Sequence, residues 1–243
     1  MVSDLLRVQA NQIPNFCKPR DVSCYAKKKS AEKKNVHMKI IFLSLIVSIN
    51  AIAQSKITIV KLAEKDIPKE IILNGKLKEA ISWKDNNGEN IVVTTETGEF
   101  ENSKSENNGR DSEIFAYNFI KIGNSFEQKW KIYDYIKDCP VDIEANFIKN
   151  TLKVTDLNKN GIAEIWIMYK KVCHGDVSPC EMKIIMYEGI NKFAMRGENR
   201  VQLSKTEFIG GTYKFDNAFN ESIKEIKEFA KRMWKININQ KWQ

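Results

Sequence analysis

Residues 156–164 set out oxygen atoms at a spacing that suits a hard cation. They read DLNKNGIAE, with Asp156, Asn158, Asn160 and Glu164 at positions 1, 3, 5 and 9 and Gly161 at position 6, where the backbone must turn sharply. Calcium takes about six to eight oxygens, and main-chain carbonyls serve beside carboxylates and amides. The candidate metal ligands are therefore Asp156, Asn158, Asn160, the Ile162 carbonyl and Glu164. An EF-hand needs a bidentate acid at position 12, and here that position is Ile167. Asp156 and Glu164 alone carry charge, so calcium affinity should be that of extracellular modules, on the order of 0.1–1 mM. The competing reading is an Asn-Gly turn whose Asx side chains bond neighbouring backbone.

A second loop, 173–180, reads CHGDVSPC. His174, Asp176 and Ser178 are the residue types of a hydrolytic triad, but a triad needs the base between nucleophile and acid. Three residues spaced by two in a tight loop rarely meet that way, and the chain has no G-x-S-x-G elbow. A single nearby histidine also falls short of the usual four zinc ligands. These three residues are candidates for a ligand-binding loop instead, since loops on a rigid hairpin often carry function. Cys173 can close a short loop with Cys180 or tie distant segments through Cys139, and the sequence does not choose. Asp134, Asp138, Asp142 and Glu144 cluster around Cys139. Paired carboxylates hydrolyse glycosides only when they face one another across a substrate.

The segments that must position these loops read mostly as strands. Residues 162–169 (IAEIWIMY) are apolar on both alternating faces apart from Glu164, as in a central strand buried on two sides, and 182–187 is its antiparallel partner. Upstream, SKITIVKLAE within 54–65 suits a first strand, and Asn74-Gly75 signals a hairpin between 71–73 and 77–83. A turn at 85–88 returns the chain through 91–95. Residues 97–112 are polar and read as an exposed loop. A hairpin follows from 113–122 to 127–136, with Trp130, Ile132 and Asp134 sharing a face. Residues 141–148 fit either strand or short helix, while 192–196 and 201–203 suit strands. Residues 220–236 place Ile223, Ile226, Phe229, Ala230, Met233 and Trp234 on one face of an amphipathic helix, with Ser222 and Glu225 as a capping box. No long-period repeat is visible. The expected fold class is α+β: antiparallel hairpins or a meander in one domain, 54–243, closed by a C-terminal helix.

The N-terminal region speaks to address. From Met38 the chain runs MKIIFLSLIVSINAIAQ: a lysine, an apolar core and a small-x-small site at Ala51–Ala53. Residues 38–53 are the expected signal peptide, 1–37 an over-extended start, and the mature chain periplasmic or secreted. The apolar run is shorter than the ~20 residues that span a bilayer, so no stable membrane span is expected after cleavage. The whole chain has 39 basic and 31 acidic residues, a net charge of +8. Removing the nine basic and three acidic residues of 1–53 leaves 30 and 28, a net of +2. That near balance removes the charge argument for a nucleic-acid partner.

Several stretches resemble a family of exported Gram-negative proteins named for surface polysaccharide (lipopolysaccharide) biosynthesis. They are WKDNNGEN at 83–90, KDCPVDIEANF at 137–147, VTDLNKNGIAEIW at 154–166, CHGDVSP at 173–179, MKIIMYEG at 182–189 and KFAMRG at 192–197. The loop at 156–164 is also similar to the calcium loops of FG-GAP repeats. The resemblance implies an accessory, non-catalytic binding or structural domain in surface-polysaccharide biogenesis, stabilised by calcium, with a surface glycan or envelope protein as partner. It supplies no catalytic residues. The alternatives are a glycan-active hydrolase and an adhesin-like interaction module.

Overall fold

Alternating apolar residues and tight Asn/Gly turns build two antiparallel sheets. The computed structural model describes residues 57–106 and 108–240, within a unit that spans Ala51–Gln243. The expected leader and the segment before it lie outside the described residues. The first sheet runs β1 (Val60–Lys61), β2 (Lys76–Asp85), β3 (Gly88–Glu101), β4 (Arg110–Ile122) and β5 (Ser125–Cys139), in that spatial order. The second contains β6 (Asp142–Phe147), β7 (Lys153–Thr155), β8 (Glu164–His174), β9 (Glu181–Glu188) and β10 (Asn191–Glu198). After the small pair β11 (Arg200–Gln202) and β12 (Phe208–Gly210), β13 (Tyr213–Phe215) returns to its edge. Its spatial order is β13-β10-β9-β8-β6, with β7 also on β8.

Three apolar layers result. Between the sheets, Ile81, Val92, Ile114, Trp130 and Ile132 meet Ile165, Ile167, Ile185 and Tyr187. Trp130 stacks on Tyr187 with ring centroids 4.2 Å apart and 8° between planes. The other face of the second sheet buries Trp166, Met168, Ile184 and Met195 beneath α1 (Asn217–Glu221) and α2 (Lys224–Asn237). Outside the first sheet, Val93, Phe115 and Tyr117 are covered in part by Leu62, Ile67 and Leu73 from the N-terminal segment. β8 is thus a central strand with apolar neighbours on both faces, as its unbroken apolar run predicts. The α+β expectation holds only loosely. The described residues form a two-sheet antiparallel sandwich with a one-turn 3-10 helix (Glu64–Asp66) and two C-terminal helices.

Several local expectations change. Asn74-Gly75 leads into β2 and makes no hairpin turn. Gly75, at φ +81°, lies so close to the Glu96 backbone that a Cβ would sit 2.8 Å from its carbonyl carbon. The polar loop expected over 97–112 is much shorter, because β3 continues to Glu101 and pairs with β4 at Glu99↔Ser112 and Glu101↔Arg110. Backbone pairing needs no apolar side chains, so composition hid these strand ends. Residues 142–147 are strand. The terminal helix breaks at Ser222–Ile223: the Ser222 hydroxyl bonds back to the Phe219 carbonyl at 2.7 Å and does not form the expected capping box. Ile223 is accordingly exposed. Glu228 pairs with Lys231 at 2.9 Å.

Candidate functional site

The β7–β8 loop is held from below by a buried carboxylate. Glu164 opens β8 and is fully buried. Its oxygens accept the Leu157 N–H at 2.9 Å, the Asn158 N–H at 3.3 Å and the Thr155 hydroxyl at 2.7 Å. Thr155 in turn accepts the Trp166 indole N–H at 2.8 Å. Burial raises the Glu164 pKa, with these hydrogen bonds working against the rise. Above it the loop is a run of Asx turns. Asp156 accepts the Gly161 N–H at 3.2 Å, Asn158 Oδ1 the Asn160 N–H at 3.2 Å, and Asn160 Oδ1 the Ile162 N–H at 2.8 Å. The Asn158 and Asn160 oxygens each retain a second lone pair. The donor chemistry of Asp156, Asn158, Asn160 and the Ile162 carbonyl therefore fits calcium. Glu164 differs, because three donors already hold it beneath the loop and it sets the loop's shape.

The loop is also clamped to the first sheet. The Asn86 N–H donates to the Gly161 carbonyl at 2.8 Å, and the Asn86 amide to the Asn160 carbonyl at 3.0 Å. Asp85 accepts the Ala163 N–H at 3.1 Å and the Trp83 indole N–H at 3.0 Å. Two turns of similar composition, 85–88 and 156–163, thus bind each other across the sandwich.

Beside this clamp lies an open cleft of about 550 Å³. The β2–β3 turn contributes Asn87, β3 Asn90, β4 Asn118, Ile120 and Ile122, and β5 Lys129. Asn160 and Ile162 come from the clamped loop, and Glu188, Ile190 and Asn191 from the β9–β10 turn. Glu188 accepts the side-chain amides of both Asn158 and Asn160. Carboxamides offer a donor and an acceptor in one plane, and the isoleucines add apolar surface. Such a lining suits a neutral polyhydroxyl ligand. Asn160 and Ile162 were candidates from metal spacing. The other lining residues were not, since only the fold gathers them at one end of the sandwich.

The other candidates do not form one site. Cys139 and Cys173 are joined, with Cα atoms 5.8 Å apart, so the alternative Cys173–Cys180 pairing is not made. Cys180 is a buried thiol, pushed up to about 11 by burial and then by the Glu144 carboxylate. His174 ends β8 opposite Asp142, and its Nδ1 lies 3.9 Å from Asp176, beyond hydrogen-bond reach. Asp176 instead accepts the Ser178 backbone N–H at 2.8 Å, which makes an Asx turn. The acidic cluster disperses. Asp134 pairs with Lys171 at 2.8 Å and Lys183 at 2.6 Å and accepts the Tyr169 hydroxyl at 3.0 Å, while Glu144 pairs with Lys170 at 2.6 Å. Burial pushes the Asp134 pKa up, but its two lysines outweigh this and take it down to about 2. Asp138 and Asp142 are exposed. These carboxylates do not line one cavity.

Aromatic rings form a row on the outer face of the first sheet. Tyr133 stacks on Phe115 at 5.0 Å and meets Tyr135 at 5.2 Å, with Lys131 over Phe115 and Lys137 over Tyr135. Tyr133 and Tyr135 are exposed. Among the described residues no helix is long and apolar enough to cross a membrane. No protein family matches the chain, and no curated protein or solved structure is significantly similar to it.

Proposed function

We propose that this chain is an exported, non-catalytic saccharide-binding domain that serves surface-polysaccharide biogenesis, with the cleft at the clamped end of the sandwich as its site. One observation carries the reading: five carboxamides line one cleft together with Glu188, Lys129 and four isoleucines. The Cys139–Cys173 disulfide supports an oxidising compartment outside the cytosol. Calcium, held by Asp156, Asn158, Asn160 and the Ile162 carbonyl, would stiffen the loop that forms one wall.

The test is calorimetric titration with neutral oligosaccharides of the cell surface, repeated on an Asn87→Ala/Asn191→Ala variant. Binding in the wild type that weakens about tenfold or more in the variant supports the cleft; equal binding by both removes it. A deletion strain with an unchanged surface glycan profile would count against the biological role. Thermal unfolding with calcium and with chelator, beside Asp156→Ala, tests the metal. A midpoint that rises with calcium only in the wild type supports it, and no response at several millimolar retires it.

The exposed Tyr133–Tyr135 row favours a second reading, an adhesin-like interaction module. Tyr135→Ala should then abolish attachment to intact cells while leaving saccharide titration unchanged.

A further inference from the structure

The register of the second sheet lines up cations where pairing would ordinarily alternate charge. Arg196 on β10 lies directly opposite Lys183 on β9 and directly opposite Lys214 on β13. Like charges facing one another across strands are unfavourable. Lys183 is neutralised by Asp134 at 2.6 Å and Glu181 at 2.8 Å. Arg196 and Lys214 have no such relief, because among the described residues no carboxylate reaches either at ion-pair distance. Lys192 joins them on the same face of β10, with the buried Ala194 between it and Arg196. Burial, then the charges of Arg196 and Lys183, lower its pKa.

Four acids lie nearby, and each has a partner: Glu198, on the same face of β10, accepts the Thr212 hydroxyl at 3.1 Å, and Glu181 pairs with Lys171 and Lys183. Asp134 is held by its two lysines, and Asp216 accepts the N–H groups of Ala194 and Phe219, both at 2.9 Å. Lys192, Arg196 and Lys214 are all exposed. The patch runs about 13 Å along β10 and about 10 Å across the three strands, from ordinary strand spacings. An area of that size suits a chain bearing several oxoanions better than one isolated ion.

We infer that the face formed by Lys192, Arg196 and Lys214 is an anion-binding shelf that takes the carboxylates or phosphates of an acidic polysaccharide. The saccharide nature of the carrier rests on the function proposed above; the requirement for negative charge rests on the shelf alone.

The experiment titrates the full chain with a short oligogalacturonide, with its neutral methyl ester and with phosphatidylglycerol vesicles. An Arg196→Ala/Lys214→Ala variant and a charge-keeping Arg196→Lys/Lys214→Arg variant are run beside the wild type. The acid form should bind, and binding should fall steeply as salt rises from about 0.05 to 0.5 M. The alanine variant should lose about tenfold or more in affinity, and the charge-keeping variant should recover most of it. The alanine variant's thermal midpoint should be unchanged or raised, because a repulsion has been removed, which separates lost binding from lost fold. Equal binding of acid and ester, an alanine variant that binds like wild type, or binding to vesicles alone would each overturn the shelf. Failure of the cleft reads differently: neutral oligosaccharides would not bind, while acid binding would still depend on Arg196 and Lys214.

Discussion

The carboxamide of Asn86 occupies the space where a side chain on Gly161 would start. A Cβ built on Gly161 would lie 2.1 Å from Asn86 Nδ2, and the glycine sits at φ +77°. Two turns 75 residues apart are thereby keyed to each other, and Gly161→Ala meets two penalties: a strained backbone and a displaced clamp. It should cost about 2–4 kcal/mol in urea unfolding. In an Asn86→Ala background the cost should shrink by about 1 kcal/mol, because the obstructing amide is gone. Additive costs would mean that the contact is not felt.

Asp134 makes stability depend on acid in a known direction. Its folded pKa of about 2 lies below the ordinary aspartate value of 3.8. Its contribution is therefore complete above about pH 4 and is lost as pH falls toward 2, on the order of 2 kcal/mol. Asp134→Asn should lower stability at neutral pH and flatten the curve between pH 5 and 2. Denaturant unfolding across that range checks it, and a variant with the wild-type slope would refute it.

The Trp130–Tyr187 stack joins the two sheets near the cleft. Trp130→Ala should destabilise by about 3–5 kcal/mol. A double-mutant cycle with Tyr187→Leu should leave a coupling of about 0.5–1.5 kcal/mol, beyond what buried area supplies. A coupling near zero would show that the rings contribute area only.

The Cys139–Cys173 link closes a stretch with a sequence separation of 34. Its removal by Cys139→Ser/Cys173→Ser should cost about 3–4 kcal/mol. Cys180, buried and with its pKa raised to about 11, should resist alkylation in the native state and react only in denaturant. Mass mapping of the Cys180 peptide reads this directly, and rapid native labelling would contradict the burial.

The parts of the fold that could be read from sequence were those with local signatures. Unbroken apolar runs mark β8 and β9, and Asn86-Asn87 marks the β2–β3 turn. Trp130, Ile132 and Asp134 share a face as their spacing predicts. What was hidden depends on distant partners. Glu164 was read as a metal ligand from its spacing, whereas its burial beneath the loop follows from packing around Trp166. The bond from Ala163 to Asp85 crosses 78 residues, and no local pattern announces it. The cleft and the shelf are hidden for the same reason, since Asn118 and Asn191, or Arg196 and Lys214, become neighbours only once register is set.

The disulfide has a mechanical consequence. β6, β7, the clamped loop and nearly all of β8 lie between Cys139 and Cys173, so a pull on this wall of the cleft works against a covalent lasso. Stretched from its ends, the oxidised chain should fall short of the reduced one by about 110–120 Å of contour length. Force applied to the ends of the chain would open the helices and the first sheet before it could unravel the loop enclosed by the two cysteines.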